Sequence, residues 1–214
     1  MIITRDDKHR YLVDGRPWPS VTGVIGATLN RPELNRWREQ RGTQLANAIG
    51  QAAAAHGTLV HGLASLHAEE EAFIPIGDGM DEIAELQIAA FRTWYDRNVM
   101  TLIGTEIFVA HPRYHYAGQL DFLVFLEGDE IPTLVDIKSG KSVHKDSRAQ
   151  TAAYRDAALA TVLKDLGYTR CRRGVLWIPA GEEAGKIRFI PHDKPKEDLQ
   201  AFLSLLYVYN WLKT

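Results

Sequence analysis

The spacing of apolar positions changes several times along the chain, and the changes mark out its elements. Thr133 to Lys138 is a short β-branched apolar run that reads as a strand buried on at least one face. Alternation puts Asp136 and Lys138 on one face of that strand and Val135 and Ile137 on the other. Phe122 to Leu126 reads as a second strand, entered from a glycine-containing turn that ends at Asp121, and Gly128-Asp129-Glu130 with Pro132 returns the chain as a meander. Leu102 to Ala110 makes an earlier strand with Glu106 in its middle. From Ser147 to Leu166 the spacing becomes helical, and Gln150 and Tyr154, four apart, share a face. The stretch from Leu102 to Tyr154 therefore predicts three consecutive strands followed by a helix.

The flanks read as support for that sheet or a lid over it. Ile2 to Val13 alternates and meets Asp14-Gly15-Arg16-Pro17, which predicts a small hairpin. Ser20 is an N-cap candidate for a short helix through Leu29, and Pro32 opens the next. That second helix carries Trp37 with Arg36, Arg38 and Arg41, read as a solvated face, with contact to DNA phosphates as the alternative. An alanine-rich segment from Ile49 runs on to His67, with Leu59, Leu63 and Leu66 as its apolar stripe and His61 beside it. Pro75 to Gly79 reads as a loop and Met80 to Asn98 as an amphipathic helix whose Phe91, Trp94 and Tyr95 belong to the core. Gly174 to Pro179 and Lys186 to Pro191 predict a hairpin extending the sheet, closed by a helix from Lys196 to Lys213. There is no internal repeat, low-complexity tract or clear linker. The expectation is one α/β domain with a mixed central β-sheet flanked by helices, residues 1–100 mainly helical and 101–214 holding the sheet and its site.

Composition narrows the classes. With 45% hydrophobic and 24% charged residues, 214 residues are enough for one sizeable core. A net charge of -2 supplies no global basic field, which argues against a non-specific DNA coater but not against basic residues lining one channel. The single Cys171 excludes a disulfide framework and a four-cysteine cluster within the chain, and reads as a small buried hydrophobe. The start lacks a signal-peptide core and no apolar run is long enough to span a bilayer, so a soluble, cytoplasmic protein with no membrane partner is expected.

The chemistry lies in the ordered ionisable residues. A carboxylate and an ammonium at the end of an apolar strand are costly to desolvate unless paired or metal-bound. Adjacent antiparallel strands place Asp121 beside Asp136, and two carboxylates with room for water suit Mg²⁺ or Mn²⁺. Lys138 next to them could orient an attacking water or help to deprotonate it. Taken alone, an Asp and a Lys two apart read as an exposed ion-paired edge, and a lone His61 as a hydrogen-bonded core residue. No His-Glu-x-x-His occurs, and Ser139 to Lys145 is basic and glycine-containing but does not match a phosphate-binding Walker loop.

Taken in order, Glu106, Gly118-Gln119-Leu120-Asp121, Asp136-Ile137-Lys138 and Gln150 to Tyr154 resemble the motifs of the PD-(D/E)XK nuclease superfamily, in its RecB-like exonuclease branch. Gly57 to His61 resembles that branch's Gly-x-x-x-His motif, and Trp18 to Thr22 with Leu34 to Trp37 resembles the N-terminal part of small phage-type members and of mitochondrial genome maintenance exonucleases. The resemblance implies a restriction-endonuclease-like core and a metal-dependent deoxyribonuclease, exonuclease more than endonuclease, serving phage-type recombination, repair or replication. It implies Mg²⁺ or Mn²⁺ held by His61, Asp121, Asp136 and the Ile137 carbonyl, with Glu106, Asp121, Asp136 and Lys138 catalytic. Gln150 and Tyr154 would orient the scissile nucleotide or Lys138, and Lys141 and Lys145 would steer the DNA backbone. The lone cysteine departs from relatives that carry an iron–sulfur cluster, so none is expected. DNA, as a single strand or a duplex end, is the implied partner, in a bacterial or phage-infected cell, with a homo-oligomer or a recombination partner protein left open. A catalytically silent nucleic-acid-binding or assembly protein, a structure-specific endonuclease and a hydrolase of another substrate stand as alternatives.

Overall fold

The computed structural model describes residues 1–8, 10–29, 32–69 and 81–214. Five strands form a mixed sheet in the order β4-β5-β6-β7-β8: Val99–His111, Tyr116–Leu126, Thr133–Lys138, Arg172–Trp177 and Arg188–Pro191. Every neighbouring pair is antiparallel except β6 and β7, which run parallel. The parallel pair needs a crossover, and the chain makes it through α5 (Ser147–Ala160) and the short α6 (Val162–Asp165). On one face of the sheet, α1 (Val21–Thr28), α5 and α7 (Pro195–Trp211) bury Val24, Leu120, Leu123, Leu134, Ala153 and Phe202. On the other, α3 (Thr43–Ala68) and α4 (Glu82–Asn98) bury Val60, Leu63, Phe91, Phe122, Val135 and Ile137. The result is the expected α/β domain with a central mixed sheet covered by helices on both faces. No helix among the described residues is long and apolar enough to cross a membrane.

Several predicted elements take a different form. The N-terminal hairpin is a three-stranded sheet, β1 (Ile3–Arg5), β2 (Tyr11–Val13) and β3 (Arg16–Trp18), packed on Ala110 and Ala117. Asp14 and Gly15, at φ 47° and 77°, form the two-residue turn between β2 and β3, the backbone that an Asp-Gly pair favours. Ser20 caps α1 by accepting the Gly23 N–H at 3.0 Å, as expected. The helix predicted from Ser147 to Leu166 breaks at Thr161. Its hydroxyl takes the Ala157 carbonyl at 2.7 Å, and its N–H bonds Ala158 instead, a competition that ends the regular ladder. Asp121 does not end a turn; it lies inside the eleven-residue β5. The preceding turn is closed further back, where His111 Nδ1 accepts the N–H groups of Arg113 and Tyr114. The Leu59–Leu63–Leu66 stripe is also corrected, because Leu59 and Leu66 are 41% and 36% exposed while Val60, Leu63 and Ala64 are buried. Both sets have helical spacing, and docking on the sheet chose between them. α2 spans Pro32–Arg41, and Asp81 caps α4. The predicted loop from Pro75 to Gly79, and Met80, lie outside the described residues.

Candidate metal centre

The site forms where the sheet changes its habit. Leu120 and Phe122 are two apart on β5, yet Leu120 packs on the α5 side and Phe122 on the α3 side. The same change occurs on β4, where Ile107 packs on the α5 side while the Thr105 hydroxyl meets Glu69 at the end of α3. The pairs Thr105 with Phe122 and Ile107 with Leu120 set Glu106 across from Asp121, the two residues at which the faces switch. Glu106 carries the backbone signature of that switch, a φ of 48°. A left-handed glutamate costs about 1–3 kcal/mol and persists only where its surroundings enforce it. Gln119 does part of this by donating to the Glu106 carbonyl at 3.1 Å, and Arg5 of β1 bonds Gln119 at 3.2 Å.

Pairing between β5 and β6 stops at Phe122 with Val135. Past that point the Asp121 side chain fills the gap, and its Oδ2 accepts the Ile137 N–H at 2.6 Å. The N–H and C=O of a strand residue point to the same edge, so the Ile137 carbonyl also faces this gap. From the α3 side His61 Nδ1 approaches Asp121 Oδ1 at 3.4 Å. Donor atoms of His61, Glu106 and Asp121 all lie within 4.8 Å of one another, and all three side chains are half-buried. One imidazole and two carboxylates in that space match the nitrogen and oxygen preferences of Mn²⁺, and Mg²⁺ with retained waters.

Asp136 stands on the α5 side of the gap, only 1% exposed. Gln150 Nε2 donates to its Oδ1 at 2.9 Å, and the Lys138 ammonium lies 2.6 Å from its Oδ2. Among the described residues Oδ2 accepts no well-aligned hydrogen bond, so a buried carboxylate oxygen keeps acceptor capacity. The sequence reading placed Asp136 among the metal ligands and Glu106 as an active-site carboxylate that could serve a second metal; the trio within 4.8 Å is His61, Glu106 and Asp121, with Asp136 beside it. Tyr154 is buried, and its hydroxyl lies 3.5 Å from Gln150 Nε2. A Cβ on Gly118 would sit 2.4 Å from the Tyr154 ring. Tyr154 and Gln150 thus form a buttress for Asp136, and the glycine of the Gly-x-x-Asp motif makes room for it. Lys141 and Lys145 are both exposed on the loop after β6, which Trp177 tethers by donating to the Gly140 carbonyl at 2.9 Å.

Three carboxylates crossing neighbouring strands repel one another, and cross-strand like charges are destabilising. Burial and Asp121 together push the Asp136 carboxyl up to about 6, against the pull of Lys138. Burial, then Asp121, raises Glu106 as well. Burial works against the Asp121 charge, but His61, Lys138 and the Ile137 N–H outweigh it and hold that carboxyl below its ordinary value. Burial likewise opposes the charges of His61 and Lys138, and in both cases the neighbouring aspartates win and raise the pKa. Lys138 is therefore a held cation rather than a free base.

One supporting residue escaped the sequence reading. Gln87 of α4 is fully buried, and its Nε2 donates to the carbonyls of Ser139 at 3.0 Å and Ile178 at 2.6 Å. Its Oε1 pairs with His56 Nε2 at 2.7 Å. The amide thereby ties together the ends of β6 and β7, just past Lys138. Its signal was available: Gln87 interrupts the helical stripe of Ala84, Ile88 and Phe91, where a polar side chain must find buried partners.

No family model matches the chain, and no curated protein matches it.

Proposed function

We propose that this chain is a metal-dependent deoxyribonuclease that hydrolyses phosphodiester bonds, with exonuclease action implied by the resemblance to the RecB-like branch. The observation that carries the reading is the excess of carboxylate at the gap: His61, Glu106 and Asp121 converge while Asp136 and Lys138 stand beside them. A buried acidic excess is costly to keep unless a cation neutralises it. A divalent ion held by His61, Glu106 and Asp121, with the Ile137 carbonyl at the same gap, would acidify water and neutralise phosphate charge. Asp136 Oδ2, with its pKa raised towards neutral, is matched to accept the proton of the attacking water. The Lys138 ammonium, kept charged by Asp136 and Asp121, stabilises negative charge on the phosphate as it builds. Gln150, backed by Tyr154, keeps Asp136 turned to the gap.

The test uses end-labelled and circular DNA, single-stranded and duplex, with Mg²⁺, Mn²⁺ or EDTA. Wild type should degrade DNA only with metal, and Lys138→Ala should slow it by about 10²- to 10³-fold, the usual effect of removing one charge-stabilising group. Cutting of linear but not circular substrates would assign exonuclease action. A wild-type protein that cuts nothing with either metal sinks the proposal.

A further inference from the structure

We propose that the cavity between α2 and the α5–α7 pair binds a single strand of nucleic acid, with Trp37 as a stacking surface and Arg36 and Lys145 on its phosphates. The role of this site in feeding the metal centre rests on the nuclease reading; the binding itself does not. The cavity has a volume of about 1000 Å³ and opens between α2, the Ser142–Asp146 loop and the starts of α5 and α7. Leu29, Trp37, Ala149 and Leu205 give it an apolar lining, while Arg36 and Lys145 supply cations and Arg148 is engaged by Asp198. An apolar floor with a basic rim is the chemistry a strand of nucleotides asks for: flat heteroaromatic bases inside and phosphates at the edge.

Charge supports that occupant over a neutral one. The chain as a whole carries -2. Of the two acids in the lining, Asp198 is taken by Arg173 and Arg148. The lining also holds Asp146 and two exposed cations, Arg36 and Lys145. The Arg41 guanidinium lies 5.3 Å from the Trp37 ring centroid, so ring and cation together form a surface on which bases stack. Size selects one strand: a sphere of this volume is roughly 12 Å across, about the width of the major groove alone of a duplex.

The chain's connectivity joins this cavity to the metal centre. Ser142, His144 and Lys145 belong to the loop that leaves β6 directly after Lys138. Arg148 and Ala149 immediately precede Gln150, whose amide holds Asp136. A strand lying in the cavity is therefore held by the same loop and helix that present Lys138 and Asp136.

Binding is read by fluorescence anisotropy of a short labelled oligodeoxythymidine in EDTA, where cleavage is switched off, against the same probe annealed to oligodeoxyadenosine. Wild type should bind the single strand in preference to the duplex. Trp37→Ala should weaken this about 10-fold, within the 1–3 kcal/mol of one stacked base, and Trp37→Phe should restore most of it. Lys145→Ala should flatten the dependence of log affinity on log salt by about 0.7, one phosphate contact. If Trp37→Ala and Lys145→Ala both stay folded by circular dichroism and bind as wild type does, the cavity is not the site. Equal affinity for the duplex with the same Trp37 dependence would also overturn it. Trp37-dependent binding without metal-dependent cleavage leaves this site standing and removes the nuclease reading instead.

Discussion

Two groups of charged side chains among the described residues lie on the central sheet, and they are built on opposite terms. Around Arg173, two guanidiniums are held on one carboxylate, Asp198. The Arg173 guanidinium donates to Thr151 Oγ1 at 2.7 Å and the Arg148 carbonyl at 2.9 Å and pairs with Asp198, while Arg148 Nε reaches Asp198 at 3.1 Å. His192, bonded to Thr151 at 2.9 Å, is pushed down to about 4 by burial and then by Arg173 and Arg148, so it stays neutral beside them. Within this cluster, Arg173 Nε has no hydrogen-bond partner among the described residues. Around Asp121 the excess is of carboxylates: three face one ammonium and a histidine, on a backbone strained at Glu106. A closed network of the first kind holds elements together. An open one of the second kind leaves like charges facing one another, which a bound cation would relieve.

The comparison breaks if the two groups respond alike to the loss of one member. Arg173→Met leaves Asp198 and Thr151 without their buried partner and should cost about 3–5 kcal/mol in urea unfolding. At the gap, the partner proposed above is a divalent cation. Mn²⁺ at about 100 times its Kd should stabilise wild type by about 2.7 kcal/mol, and Asp121→Asn should abolish that gain in thermal unfolding.

Acid sharpens the contrast. Below the ordinary histidine pKa of about 6.5 the unfolded chain takes a proton on His192 that the folded chain refuses until about 4. Stability from this group is thus present above 6.5 and should fall by about 2 kcal/mol as pH drops towards 4, allowing for solvent screening. His192→Asn should flatten that slope, measured by urea midpoints across the range. Asp136 runs the other way: its raised pKa favours the fold at low pH, and that contribution is lost as pH rises from about 4 through about 6. The smallest effect is a gain in stability from a substitution. Glu106→Gln removes one of the repelling carboxylates and should raise stability in EDTA by about 0.5–1 kcal/mol while weakening Mn²⁺ binding. Destabilisation in EDTA would show that Glu106 is a structural member of a closed network after all.

Much of this was legible before folding. Alternation in Thr133 to Lys138 separated Asp136 and Lys138 from Val135 and Ile137, and the structure keeps that division. Ser20, Pro32 and the Asp14-Gly15 pair announced their cap, helix start and turn because each acts through its own backbone neighbourhood. The face buried by α3 was not legible, since Leu59-Leu63-Leu66 and Val60-Leu63-Ala64 fit the helical period equally well. Nor was the Thr161 break, which depends on a hydroxyl outcompeting a backbone N–H.

The sequence by itself determined the elements, their order and the types of ionisable residue available, because those follow from local propensity and period. Only the tertiary structure decided how the ionisable residues divide. Where β5 leaves β6, the switch of faces at Glu106 and Asp121 turns those side chains towards His61, while Gln150 and Lys138 claim Asp136. That partition arises from contacts between residues far apart in the chain, and no spacing along one strand encodes it.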